Sequence, residues 1–508
     1  MIGDLIKYIN ETHNFELKES DYHSFIARFK LWYQGHVPEV HDYRFNNRKV
    51  VMASLGMAKK IGEDYASLVI NEETKIKCDD KKVEEYLVGS RLDQAGGVLS
   101  NNNFFKEMTS MCEKMYGYAG SSAIVVGVAD SNMTEDGTLS GGDVNLRYIT
   151  SENIIPLSWK SEHITEVAFF SERAYKGKRY ILLEVHLIDK EHADGGYVVH
   201  NTSFVIGDNG RISENKELIN AENIVELVQT DFPLFHIWNG NTVNNLVENY
   251  PLSLPAIANA IPQLTLCDSA FNNLQLDLRM GGKKLFIQQD YIQTTVDIDG
   301  KKKPLNPAFN EGPFMVMSDT MEQKGEAGKP IIEYNPLLRV DENEQAINKS
   351  LELLSDKVGL GKKWYSFNAE SMATATQVRA SNRDLTYSVS KQRTPLVKFI
   401  SDVCKTIVKV SNSILTTQMK EDIQITAIFD DSLLRDPEME KTQDMQLVSQ
   451  GIMKDYEYRV KWLGDDMKTA LDTLGYIYQE VTEGDEVRFT DIQKRPLENV
   501  GINSFFGA

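Results

Sequence analysis

The chain has 508 residues, 41% hydrophobic and 25% charged, with a formal net charge of −19. That length exceeds one compact core and predicts two to four sub-structures, while ordinary Gly and Pro usage excludes wholesale disorder. The acidic balance argues against a protein that grips nucleic acid tightly, because such grip needs Lys and Arg to displace counterions. It leaves room for a repulsive wall past which DNA slides.

In chain order, residues 1–75 read as helical. Tyr22, Phe25, Phe29 and Trp32 recur at steps of three and four, as do Leu55, Ala58, Ile61, Tyr65 and Leu68. From about Ala119 to Leu234 the period shortens. Ser122–Val128, Val167–Phe170, Tyr180–Ile188, Tyr197–Ile206 and Ile224–Val228 are β-branched and aromatic runs separated by Asp/Asn/Gly turn clusters.

A helix is expected from Leu254 to Met280, about 40 Å long, with Asp268 interrupting its apolar stripe and Pro262 kinking or restarting it. Residues 283–337 return to short strands: Lys284–Gln288, Thr294–Ile298, Phe314–Met317 and Ile331–Tyr334. A second helix follows, with Asp341 and Glu344 at capping-box spacing and Gly359 and Gly361 closing it. These two helices bracket the insert and can run antiparallel with it at their far end. A long helical pattern then runs from Thr374 to Leu415 through Pro395. A strand at Ile423–Phe429, a helical region over about 436–482 and a polar tail from Gly484 complete the chain.

Catalytic and metal motifs are sparse. Cys78, Cys112, Cys267 and Cys404 are scattered with no metal spacing, which reads as free thiols in a reducing cytoplasm. Met1 to Asn10 lack signal-peptide blocks, and no apolar run approaches the ~20 residues of a membrane helix. The expectation is a protein folded in cytoplasm without a membrane partner. Gly359-Leu360-Gly361-Lys362-Lys363 lacks the loop length and hydroxyl of a P-loop, and Ser213–Lys216 matches S-x-x-K only within a polar turn. Asp430, Asp431 and Asp436 read either as metal ligands or as turn and cap residues.

Charge is unevenly spread. Residues 359–409 carry nine Lys and Arg (Lys362, Lys363, Arg379, Arg383, Lys391, Arg393, Lys398, Lys405 and Lys409) against three acids, whereas 421–508 carry nine basic and nineteen acidic residues. Such a run reads as a solvated helix face or as a contact for phosphates. Lys301-Lys302-Lys303 beside Asp297, Asp299 and Gly300 reads as a hairpin tip or as a nucleic-acid contact.

The ordered set of Met57–Ile61, Tyr65–Val69, Asn71–Ile76, Pro251–Ser253 with Ala258–Ile261, Met280–Ile287 (MGGKKLFI), Ser371–Val378 (SMATATQV), Phe429–Ser432 and Leu447–Ile452 resembles the portal, or head–tail connector, proteins of tailed bacteriophages, siphophage type from Gram-positive hosts. The resemblance covers most of the chain. It implies an α+β portal-type subunit: wing 1–252, stem helix 253–281, clip 282–339, second stem helix 340–359, tunnel loop 360–374, long kinked helix and return strand of the wing 375–435, crown 436–483 and tail 484–508.

It further implies a homo-oligomeric ring, a dodecamer in the virion, with no catalytic site, metal or cofactor. The implied partners are the terminase large subunit, head-completion and adaptor proteins, the major capsid and scaffolding proteins, and double-stranded DNA bound non-specifically. The implied place is the portal vertex of the virion, assembled in the host cytoplasm. Lys362, Lys363, Trp364, Tyr365, Arg379 and Arg383 fall at the implied DNA channel. There the lysines touch phosphates, Trp364 and Tyr365 pack against a neighbouring subunit, and the arginines make intersubunit ion pairs. Lys301, Lys302, Lys303, Lys324 and Lys329 fall at the implied docking end of the clip. A nucleic-acid-processing enzyme or motor subunit using Asp430 and Asp431 is the alternative reading.

Overall fold

A computed structural model of the chain describes residues 1–45, 47–70, 74–89, 96–129, 132–133, 139–140, 142–189, 196–288, 294–296, 300, 302–304, 314–317, 331–365, 375–415, 417–429, 437–483 and 486–494. Helix and strand are mixed, an α+β chain, in two compact units, Met1–Asp430 and Asp431–Ala508.

The first helix, Ile2–His13, is amphipathic and buries Leu5, Ile6 and Ile9. Its apolar face lies on a sheet in which Ile154–Lys160, His163–Tyr175, Lys178–Ile188, Tyr197–Ile206 and Ile212–Glu214 follow one another as an antiparallel meander; Leu227–Thr230 also pairs with Tyr197–Ile206. The period of two decides which side chains go where. Ile181, Leu183 and Val185 face the helix, and Tyr180 and Leu182 face Leu218 and Ile219 on the other side. The tight turn between the second and third strands places Lys176 and Gly177 at φ 46° and 76°, the left-handed pair that a two-residue hairpin loop requires.

A second sheet pairs Ser121–Ala129 with Phe235–Asn239 on one side and Asp143–Thr150 on the other. One buried charge joins the two sheets. Arg147 Nη2 lies 2.8 Å from Glu184 Oε1, and His186 Nε2 lies 2.7 Å from the same oxygen. A carboxylate only accepts, so the imidazole donates through Nε2. Burial works to raise the Glu184 pKa, but the charges of Arg147 and His186 and their hydrogen bonds overcome it and hold the group at about 2.

The N-terminal 75 residues are not all helical. Helices Tyr22–Tyr33 and Met57–Val69 stand where the periodicity puts them, but Asp42–Phe45 and Arg48–Val51 form a hairpin between them. In the Tyr22–Tyr33 helix Ile26, rather than Phe25, completes the buried face. Helices Lys81–Val88 and Phe104–Lys114 occupy a stretch where the sequence predicts no element. The strand Lys75–Cys78 pairs antiparallel with Ile425–Ile428, which ties the return strand to the N-terminal region.

The first of the two bracketing helices is Ile261–Met280, shorter than the Leu254 start expected. Pro262 lies in its first turn, where a missing N–H costs nothing, so it starts the helix instead of bending it. The second is Val340–Val358. The capping box at Asp341 and Glu344 does not form: Arg339 is the N-cap residue and makes no side-chain cap bond, so Asp341 lies inside the first turn, favourably placed for the helix dipole. The helices run antiparallel, because Asp277 near the end of one meets Arg339 and Asn343 at the start of the other, while Cys267 faces Ser350 halfway along.

Between them lies the insert, where Lys284–Gln288 is the central strand of three, parallel to Phe314–Met317 and antiparallel to Ile331–Tyr334. At its neck Gly281 leaves no room for a Cβ, which would sit 2.5 Å from the Asp277 carbonyl oxygen.

The long helix spans Ala375–Leu415 and runs through Pro395. A proline there cannot donate to the carbonyl four residues earlier. That carbonyl, of Lys391, instead accepts from the Asn241 side chain.

The C-terminal unit contains helices Pro437–Ser449, Asp455–Leu463 and Met467–Thr473. The helical expectation to 482 and the loose tail from 484 are both corrected, since Tyr476–Glu483 and Glu486–Lys494 form a hairpin. Gly475 at φ 71° ends the helical path, and Tyr476, Ile477, Tyr478 and Val481 are β-forming residues.

Glu184 makes one pH expectation explicit. Its folded pKa lies below the unfolded value, so its contribution is present above about pH 4.5 and is lost as pH falls towards about 2. Arg147→Met leaves a buried carboxylate without its cation. It is expected to destabilise the chain by about 3 kcal/mol near neutrality and to remove that acid-limb loss, as measured by denaturant unfolding across pH.

Candidate functional site

The segment that follows the antiparallel helices begins at a built corner. Gly359 and Gly361 adopt φ 85° and 88°, with buried Leu360 between them. The left-handed conformation at Gly359 ends the helix, and its N–H and that of Leu360 return to the carbonyls of Asp356 and Ser355. Tyr65 Oη donates to the Val358 carbonyl from the Met57–Val69 helix. Tyr65 also stacks on Tyr116 at 4.6 Å, and Tyr116 donates to Gln392 Oε1 over 3.0 Å. The corner, the Met57–Val69 helix and the long helix are thereby fixed to one another.

From this corner Lys362 is exposed and Lys363 half-buried. Trp364 Nε1 donates to Asp64 Oδ2 over 3.1 Å, and the Tyr365 N–H donates to Ser355 Oγ over 3.2 Å. Trp364 and Tyr365 thus have anchors within their own chain, and the Trp364 ring remains partly exposed. Arg379 and Arg383 lie one turn apart on the long helix, and their side chains fall outside the described residues, as do Lys301, Lys324 and Lys329. Lys302 and Lys303 lie on the second strand of a hairpin, opposite Val296 and Thr295.

The cationic run divides into two kinds of residue. Arg393 donates to the carbonyls of Leu68, at 2.9 Å, and Val69, capping the end of the Met57–Val69 helix, and lies over the Phe429 ring at 4.8 Å. Lys409 sits over Phe232 at 5.4 Å. These two cations hold the fold. Lys391 and Lys398, seven residues apart, are exposed on one side of the helix.

Asp268, which breaks the apolar stripe in the sequence, is 3% exposed. It accepts from His41 Nε2 and Ser54 Oγ, each at 3.0 Å, and from the Leu55 N–H at 2.7 Å. The Val37 N–H donates to His41 Nδ1 over 2.8 Å, so the imidazole is neutral with its proton on Nε2. This node fixes the Ile261–Met280 helix to the N-terminal region. Sequence reasoning missed it, along with Asp64. The one available signal for Asp268 was a carboxylate on an otherwise apolar helix face.

Asp430, Asp431 and Asp436 lie outside the described residues, and among the described residues no cluster of three or more His, Cys, Asp or Glu has metal-binding geometry. Cys112, Cys267 and Cys404 are buried free thiols, and Cys78 is half-buried. Among the described residues no helix is long and apolar enough to cross a membrane.

No protein-family model matches the chain. No curated protein matches it either.

The division of the cations predicts different consequences. Arg393→Met removes charge-assisted bonds to two helix-end carbonyls and is expected to cost about 1.5–3 kcal/mol of stability in denaturant unfolding. Lys398→Met is expected to stay within about 0.5 kcal/mol.

Proposed function

We propose that this chain is the subunit of a closed ring, of the tailed-phage portal type, through which double-stranded DNA passes into and out of a capsid. The observation that carries the reading is the antiparallel pair Ile261–Met280 and Val340–Val358, which holds a small β insert at its far end and leads directly into the Lys362–Tyr365 corner. The pair leaves Leu266, Leu278 and Leu353 about half exposed along its length, and Leu337 and Leu338 exposed at its neck. Large apolar side chains left exposed on a helix pair are what a heterologous interface between identical copies uses.

In this reading the N-terminal region is the wing, the helix pair the stem, the insert the clip and the C-terminal unit the crown. Lys362 and Lys363 meet phosphates of the passing duplex without reading sequence. The acidic balance keeps that contact weak, which suits sliding. The clip takes the terminase large subunit and later the head-completion or adaptor proteins, and the wing meets capsid and scaffolding proteins at the portal vertex of the virion. The protein works as a conduit and not as an enzyme.

Purified full-length protein, followed by sedimentation velocity and by negative-stain imaging with rotational averaging, is expected to give closed rings with a central hole. It should show neither nucleotide hydrolysis nor metal-dependent nuclease activity. A strict monomer at high concentration, or either activity, removes the proposal.

A further inference from the structure

The corner at 359–365 carries two lysines followed by a tryptophan that is bonded to a residue 300 positions earlier in the chain. Asp64 stands midway along the Met57–Val69 helix, 8% exposed. Its Oδ2 accepts from Trp364 Nε1 at 3.1 Å, and its Oδ1 is paired with Lys60 one turn back. The Tyr365 hydroxyl is buried nearby, and burial, then the charge of Asp64, push its ionisation far above the usual tyrosine range. The backbone is tied on either side of the lysines, by the Leu360 N–H to the Ser355 carbonyl and the Tyr365 N–H to Ser355 Oγ, and the Trp364 side chain directly after them is held separately, at Asp64. A single carboxylate therefore receives the side chain that follows Lys362 and Lys363.

We infer that Asp64 is a positioning residue for the DNA-contacting lysines: through Trp364 it holds Lys362 and Lys363 at fixed places on the corner. The inference rests on the conduit reading and adds to it a residue in the N-terminal part of the chain.

The test uses the full-length protein. Asp64→Ala and Trp364→Phe each remove one half of the clasp, and the second keeps the test open if the first fails to fold. Lys60→Met removes the ion pair but leaves the acceptor for Trp364. Tryptic cleavage after Lys362 and Lys363, scored by mass spectrometry against other sites in the same digest, is expected to rise about tenfold in the first two variants and to stay unchanged in Lys60→Met. Retention of double-stranded DNA by the rings at graded salt is expected to weaken in Asp64→Ala and Trp364→Phe as it does in the Lys362→Ala, Lys363→Ala double variant.

Unchanged cleavage in both clasp variants overturns the inference. So does faster cleavage with DNA retention intact on well-formed rings. If the wild type forms no rings while cleavage still follows the clasp, the conduit reading falls and the clasp stands.

Discussion

A single buried carboxylate decides how the antiparallel helix pair is mounted. Asp268 sits in a place with almost no solvent, and a buried polar group there is tolerated only when its oxygens are used in hydrogen bonds. Here three donors come from two points of the chain: His41, and the adjacent Ser54 hydroxyl and Leu55 N–H. Each donor constrains the others. The Val37 N–H fixes the His41 tautomer, and the loop that carries Ser54 and Leu55 also brings Ala53 N–H to Asn272 on the same helix. The far end of the pair is closed by Arg339, which forks onto Asp277 with Asn343 beside it. One end of the pair is thus held by buried bonds and the other by an exposed ion pair, while Leu266, Leu278 and Leu353 stay about half exposed.

The charge map has a similar division of labour. Composition shows an acidic chain with one cationic stretch, and that stretch invites a reading as a DNA track. Arg393 and Lys409 are instead spent on helix-end carbonyls and aromatic rings inside the same chain. The cations left to meet an external phosphate are fewer, which fits a passing contact better than a firm grip. The C-terminal unit, the most acidic part, has Ala470 and Leu471 as its buried apolar residues among those described, and Asp444 instead gathers Lys461 and Trp462.

What the sequence made legible follows from the range of the forces involved. Periodicity is local, so the Met57–Val69 helix, the strands Lys178–Ile188 and Tyr197–Ile206, the second bracketing helix and the Ala375–Leu415 helix were readable nearly to their ends, whereas the strands Ile154–Lys160 and Ile212–Glu214 were not and the first bracketing helix starts at Ile261, later than expected. The hairpin at Asp42–Val51 was hidden because short strands beside strong helical stripes carry little signal of their own. The final hairpin was hidden because its first strand follows directly on a helical stretch and its second, Glu486–Lys494, is too polar to stand out from a tail. Asp64 and Asp268 were illegible as site residues, since their partners lie 300 and more than 200 positions away. A residue before an apparently broken stripe can mark such a node, but nothing in the sequence states what it meets. The candidate channel segment itself came from an ordered resemblance and not from periodicity.

The outward apolar faces of the helix pair are where the account is most exposed to test. A cryo-electron microscopy map of the assembled full-length protein gives the direct measurement. The account predicts a rotationally symmetric ring in which Leu266, Leu278 and Leu353 are buried between neighbouring copies and the Lys362–Tyr365 corner borders the central opening. Particles in which those leucines remain in solvent, or in which the corner faces away from any opening, would contradict it.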